Sequence, residues 1–150
     1  MIFEDIYNFL KGLRLTFKYC FSKPITIQYP KQRRKVEEGY RGLHALMRYP
    51  DTGEERCVGC CLCAAICPSE VITIIAHVDD RGERIVDDYI VDIGRCLFCG
   101  LCQEVCPKDA IVLTDRYELA VYDRSGTIYH KEDLLKIGEE FSKRKALHGG

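Results

Sequence analysis

Residues 57–67 and 96–106 carry one cysteine pattern twice: Cys57-x2-Cys60-x2-Cys63-x3-Cys67-Pro68, then Cys96-x2-Cys99-x2-Cys102-x3-Cys106-Pro107. Each cysteine of the first run has its counterpart 39 positions later. Short two-residue spacers let backbone amides turn toward the sulfurs, and thiolate sulfur is the soft ligand that iron–sulfur clusters select. Structural zinc sites show paired C-x2-C knuckles separated by a longer loop, not three cysteines in a row closed by Cys-Pro. So dense a run is also poor geometry for a framework of disulfides. The pattern implies two iron–sulfur clusters and a chain that moves electrons between them.

The run resembles that of bacterial two-cluster ferredoxins, in which the fourth cysteine ligates the other cluster. The resemblance implies two 4Fe–4S clusters with crossed ligation. Cys57, Cys60, Cys63 and Cys106 would hold one cluster; Cys96, Cys99, Cys102 and Cys67 would hold the other. Each motif is then tied to its neighbour's cluster, and the two redox centres stay within tunnelling range. Pro68 and Pro107 fix the chain at the exit from each ligand loop and remove a donor there.

Two of the ten cysteines fall outside this register. Cys61 aligns with Gly100 and reads as a small, buried or half-exposed side chain beside the regularly spaced Cys60. Cys20 reads as a packing residue in an amphipathic stretch. His44, His77, His130 and His148 follow no ligand spacing, and none is assigned to metal.

Around the motifs the pattern is α+β. Val71-Ile72-Thr73-Ile74-Ile75, Tyr89-Ile90-Val91-Asp92-Ile93 and Ala110-Ile111-Val112-Leu113 read as strands, with a turn at Asp79-Asp80-Arg81-Gly82. These runs imply a ferredoxin-like core over residues 54–115, in two pseudo-symmetric halves joined by a hairpin. A core of that size is modest, so metal binding would contribute to folding.

The net charge of −1 hides an asymmetry. Residues 1–50 hold ten Lys or Arg against four Asp or Glu, and residues 51–150 hold twelve against nineteen. At the basic front, Ile2, Phe3, Ile6, Leu10, Leu13, Phe17, Cys20 and Phe21 share one helical face over residues 1–23. Charges interrupt that stretch too often for it to span a bilayer. It suits docking on a membrane surface or on a partner's apolar face, with Lys11, Arg14, Lys18 and Lys23 near anionic headgroups. Its acidic start lacks the pattern of a secretory signal.

Residues 24–53, punctuated by Pro24, Pro30 and Pro50, read as an extended arm that contacts other subunits. The basic run at residues 31–35 lacks the aromatic-rich basic fold that would indicate nucleic-acid binding. Residues 116–150 form a C-terminal extension, with a helix expected over residues 131–145 that carries Leu134, Leu135, Ile137 and Phe141 on one side. No Gly-rich phosphate loop, flavin motif or nucleophile–base pair is present, and no direct NADH site is expected.

Beyond the cysteines, the chain resembles the two-cluster ferredoxin-like subunit family of respiratory complex I, the NADH:quinone oxidoreductase. The likeness runs through the amphipathic start, Lys23-Pro24-Ile25-Thr26-Ile27-Gln28-Tyr29-Pro30, Tyr40-Arg41-Gly42, Arg48-Tyr49-Pro50 and Glu55-Arg56-Cys57. After the second motif it continues at Tyr117-Glu118-Leu119-Ala120 and through residues 129–135. Two positions depart from the family: Cys61 stands where a charged residue is common, and His130 where an acidic one is. The resemblance implies a peripheral subunit on the cytoplasmic face of the inner membrane, partnered by the peripheral and membrane arms of the complex. Its two clusters would relay electrons from a flavin on another subunit toward quinone. The equivalent subunit of a membrane-bound nickel–iron hydrogenase, and a free soluble ferredoxin, are the alternative settings for the same wire.

Overall fold

The computed structural model describes residues 2–37 and 39–148. The side chains of Ile2, on the expected apolar face, and of His148 lie outside the described residues.

The chain divides into two units, residues 1–35 and 36–150. In the first, helix α1 (Ile2–Cys20) begins with Glu4 and Asp5 and ends with Lys18, charges placed to favour both ends of the helix dipole. Its apolar side chains stay exposed; Phe17 is 66% accessible and meets Phe21 edge-to-face at 5.0 Å between centroids. Among the described residues, no helix is long and apolar enough to cross a membrane.

The second unit mixes two small antiparallel sheets with short helices. In one, β1 (His44–Leu46) pairs with β4 (Ile111–Leu113), His44 opposite Leu113 and Leu46 opposite Ile111. The other sheet has the order β2-β3-β5. Its strands are β2 (Ile72–Val78), β3 (Arg84–Asp92) and the two-residue β5 (Ile128–Tyr129). The turn between β2 and β3 forms because the Asp79 carboxylate accepts from the amides of Arg81 and Glu83. Helices α2 (Leu62–Ile66) and α3 (Leu101–Glu104) follow the first cysteines of the two motifs and pack on each other.

The compact unit reaches beyond residues 54–115 on both sides. Leu43, His44, Ala45 and Leu46 are fully or almost fully buried, so the later part of the expected arm is a core strand. A three-residue strand is too short to show a period, which is why the prolines and basic residues around it dominate the sequence reading. At the other end, α4 (Lys131–His148) buries Leu134, Leu135 and Ile137 against β1 and β3. Each of those side chains contributes about 2 kcal/mol of burial as an upper bound. Gly138 lets α4 come this close, since a Cβ there would lie 2.0 Å from the Leu46 carbonyl oxygen.

The sequence repeat is also a backbone repeat. Gly59 and Phe98, 39 positions apart, both take positive φ, and so do Glu70 and Asp109. Equal spacing in sequence has produced equal loop geometry in the two motifs.

Candidate iron–sulfur centres

The cysteines of the two motifs gather at two recesses, five at the first and four at the second. The first recess, about 360 Å³, is lined by Cys57, Cys60, Cys63 and Cys106, with Leu46, Ile74 and Ile111 among its apolar walls. The second, about 320 Å³, is lined by Cys67, Cys96, Cys99 and Cys102. Counting only the regularly spaced cysteines, three in each recess come from one motif and the fourth from the other. Pro107 and Pro68, the residues after those crossing cysteines, stand on the same walls. The local reason is the short helix after each loop: α2 carries Cys63 inward and α3 carries Cys102, both buried, while Cys67 and Cys106 leave at the far ends toward the opposite recess.

The donor set fits iron–sulfur clusters. Burial pushes the thiols of Cys57, Cys63 and Cys96 up, and that of Cys102 up to about 12. A cation must therefore displace their protons when it binds, which couples metal loading to proton release. Amides already point at sulfur: Phe98 N–H donates to Cys96 at 3.3 Å and Ala110 N–H to Cys106 at 3.2 Å. Among the described residues, no group of three or more His, Cys, Asp or Glu could hold a single metal ion. One zinc draws its thiolates to about 2.3 Å from the metal. A 4Fe–4S cluster instead offers a separate iron to each of four thiolates.

Cys61 lies on the wall of the first recess, its thiol 3.4 Å from the Gly59 carbonyl oxygen. Cys20 is exposed on α1.

Several residues that the sequence did not single out stand close to the thiols. The hydroxyl of Tyr89 is 3.1 Å from Cys63 Sγ, and burial pushes its pKa well up. His44, with no ligand spacing, is 2% exposed, and its Nε2 lies 3.9 Å from Cys96 Sγ. Burial lowers the His44 pKa to about 4, so the imidazole is neutral at physiological pH. The Arg41 guanidinium donates to the Cys99 carbonyl and pairs with Glu104 at 3.6 Å, bringing a cation beside the second loop. Lys108 lines the first recess. The signal for Tyr89 was its inward register in a strand, since a buried phenol needs a hydrogen-bond partner. No comparable signal marks His44.

Comparison with known proteins places the chain in a family. The 4Fe-4S dicluster domain family matches residues 56–110. The chain is 43% identical over 141 residues to NADH-quinone oxidoreductase subunit I of Francisella tularensis subsp. tularensis (strain WY96-3418), covering 94% of this chain and 86% of that one. The chain belongs to the NADH-quinone oxidoreductase subunit I family. A solved structure is also similar: a chain of the membrane-bound sulfane sulfur reductase (MBS), an archaeal respiratory membrane complex, with a TM-score of 0.52 and 32% identity. That match covers 74% of this chain and 55% of the other. A subunit I chain with a dicluster domain is an iron–sulfur protein, and the mixed helix-and-sheet fold around its cysteines is the one expected from the sequence.

Proposed function

We propose that Cys57, Cys60, Cys63 and Cys106 hold one 4Fe–4S cluster, and that Cys67, Cys96, Cys99 and Cys102 hold a second. The observation that carries this reading is the sorting of the eight regularly spaced cysteines between two recesses, four to each, with each set completed by a cysteine from the other motif. When bound, each cluster takes up and releases one electron. The chain's own part is to hold the sulfurs, to aim amides at them, and to line one side of each recess with apolar walls. Pro68 and Pro107 hold the crossing segments in place.

In this reading the protein is an electron-transfer subunit of a membrane-attached NADH:quinone oxidoreductase, relaying electrons toward quinone. Its 43% identity to a subunit I over nearly the full chain supports that setting. NADH would be oxidised on another subunit. The partners would be the other subunits of the peripheral and membrane arms, on the cytoplasmic face of the membrane. Residues 1–23 would serve as the docking helix, because α1 presents apolar side chains flanked by basic ones. Residues 24–35 would lie along a neighbouring subunit. A second reading keeps the same wire in a different membrane reductase, supported by the likeness to a chain of the archaeal sulfane sulfur reductase complex.

Gentle detergent purification of the tagged native chain separates these settings. Recovery with a flavin-bearing, NADH-oxidising subunit and membrane subunits is the expected result. Recovery with a sulfur-reducing or hydrogenase subunit, or of the chain alone, would overturn the NADH:quinone oxidoreductase setting.

A further inference from the structure

The two recesses differ in the side chain that meets their sulfur. In the first, the Tyr89 hydroxyl is 3.1 Å from Cys63, the third cysteine of its run. In the second, the contact is longer and falls on the first cysteine: His44 Nε2 to Cys96 at 3.9 Å. A pseudo-symmetric pair of motifs has thus acquired unequal surroundings.

Tyr89 is held by the framework and not by the sulfur alone. Its residue is 0% exposed and sits opposite Ile74 in the β2–β3 ladder. Its amide donates to the Asp88 carboxylate at 2.8 Å, which also accepts from the Lys131 amide at 3.1 Å, at the start of α4. Two secondary-structure elements therefore converge on the segment that carries the phenol.

A cysteine bound to iron has no thiol proton, so in the loaded protein only the phenol can donate across this contact. We propose that Tyr89 donates a hydrogen bond to the iron-bound sulfur of Cys63 and thereby sets the reduction potential of the first cluster apart from that of the second. This rests on the ligand assignment proposed above. Reduction adds negative charge that is shared with the sulfurs. A donor aimed at one of them stabilises the reduced state more than the oxidised one and raises the potential. Tyr89 is a positioning and tuning residue and ligates nothing.

The test is a potentiometric titration, followed by EPR, of the full-length chain purified with its iron, as wild type and as Tyr89→Phe. Phenylalanine keeps the ring in the core and deletes the donor. The reduction equilibrium of the first cluster should become roughly tenfold less favourable, a fall of about 59 mV for one electron, while the second cluster stays where it was. Exchange of the wild type into D2O gives an independent reading. One exchangeable-proton coupling to the first cluster should be present in wild type and absent in Tyr89→Phe, while that of the Ala110 amide at Cys106 remains. Two loaded clusters with unmoved potentials, a shift in the second cluster only, or the same set of exchangeable couplings in wild type and Tyr89→Phe would overturn the role of Tyr89. A wild-type chain that binds no iron would overturn the cluster reading itself, and iron analysis shows that before any titration.

Discussion

Cys61 and Gly100, 39 positions apart, hold the same left-handed backbone immediately before α2 and α3, with φ of +61° and +85°. Each turns the chain from the ligand loop into the short helix that carries the third cysteine. Glycine takes this conformation without strain, whereas an L side chain costs about 1–2 kcal/mol there.

Cys61→Gly should therefore stabilise the protein by roughly 0.5–1 kcal/mol, the relieved strain less the extra chain entropy of glycine. Iron per chain should not change, because the Cys61 thiol contacts the Gly59 carbonyl and is not one of the four proposed ligands. Denaturant unfolding with iron analysis checks both halves. Loss of iron would make Cys61 a ligand after all.

Crossed ligation gives an outcome that uncrossed ligation does not. Cys106→Ser should first damage the cluster on Cys57, Cys60 and Cys63, although Cys106 belongs to the second motif. Iron and EPR analysis of the variant decides the pairing. Selective loss of the Cys96–Cys99–Cys102 cluster would show that each motif closes on itself.

Leu13 and Phe17 lie on the exposed apolar face of α1. Replacing both with Asp sets carboxylates where burial against lipid or a partner is proposed, and several kcal/mol of docking energy should be lost. The chain should leave the membrane fraction on flotation while keeping its iron, since the recesses are lined by residues of the other unit. Unchanged membrane association would remove the docking role from this helix.

The junction of β3 and α4 is pH-sensitive through His130 and Asp88, whose Nδ1 and Oδ2 are 2.8 Å apart. The hydrogen bond that His130 donates to the Asp88 carboxylate raises the His130 pKa. Stability from a protonated His130 is therefore complete below its ordinary value near 6.5 and lost as pH rises through the raised one. For Asp88, desolvation raises the pKa, but bonds from His130 and the amides of Lys131 and Tyr89 outweigh it, so the net direction is down. Its contribution is present above the ordinary carboxylate value near 4 and lost as pH falls through the lowered one. Thermal midpoints of wild type and His130→Gln should differ most between about pH 4 and 6.5 and converge toward pH 9. A difference independent of pH would mean that the imidazole acts by packing alone.

The cysteine spacing was enough to name eight candidate thiols, because local geometry and sulfur chemistry act over a few residues; their division into crossed fours came from the resemblance to two-cluster ferredoxins. The strand runs and the Asp79 turn were legible for the same reason, since a period of two and a turn-forming carboxylate are written into neighbouring positions. Long-range pairing was not legible. β1 is a strand because Ala45 finds Val112, and α4 closes the core because Gly138 lets it approach Leu46. No local pattern encodes either partner. The same holds for Tyr89 and His44, which come beside Cys63 and Cys96 only when strands 26 and 52 residues distant fold against the ligand loops. The sequence by itself determined the chemistry this chain can hold. The tertiary structure decided which side chains surround it, because burial and contact between distant residues exist only once the chain has folded.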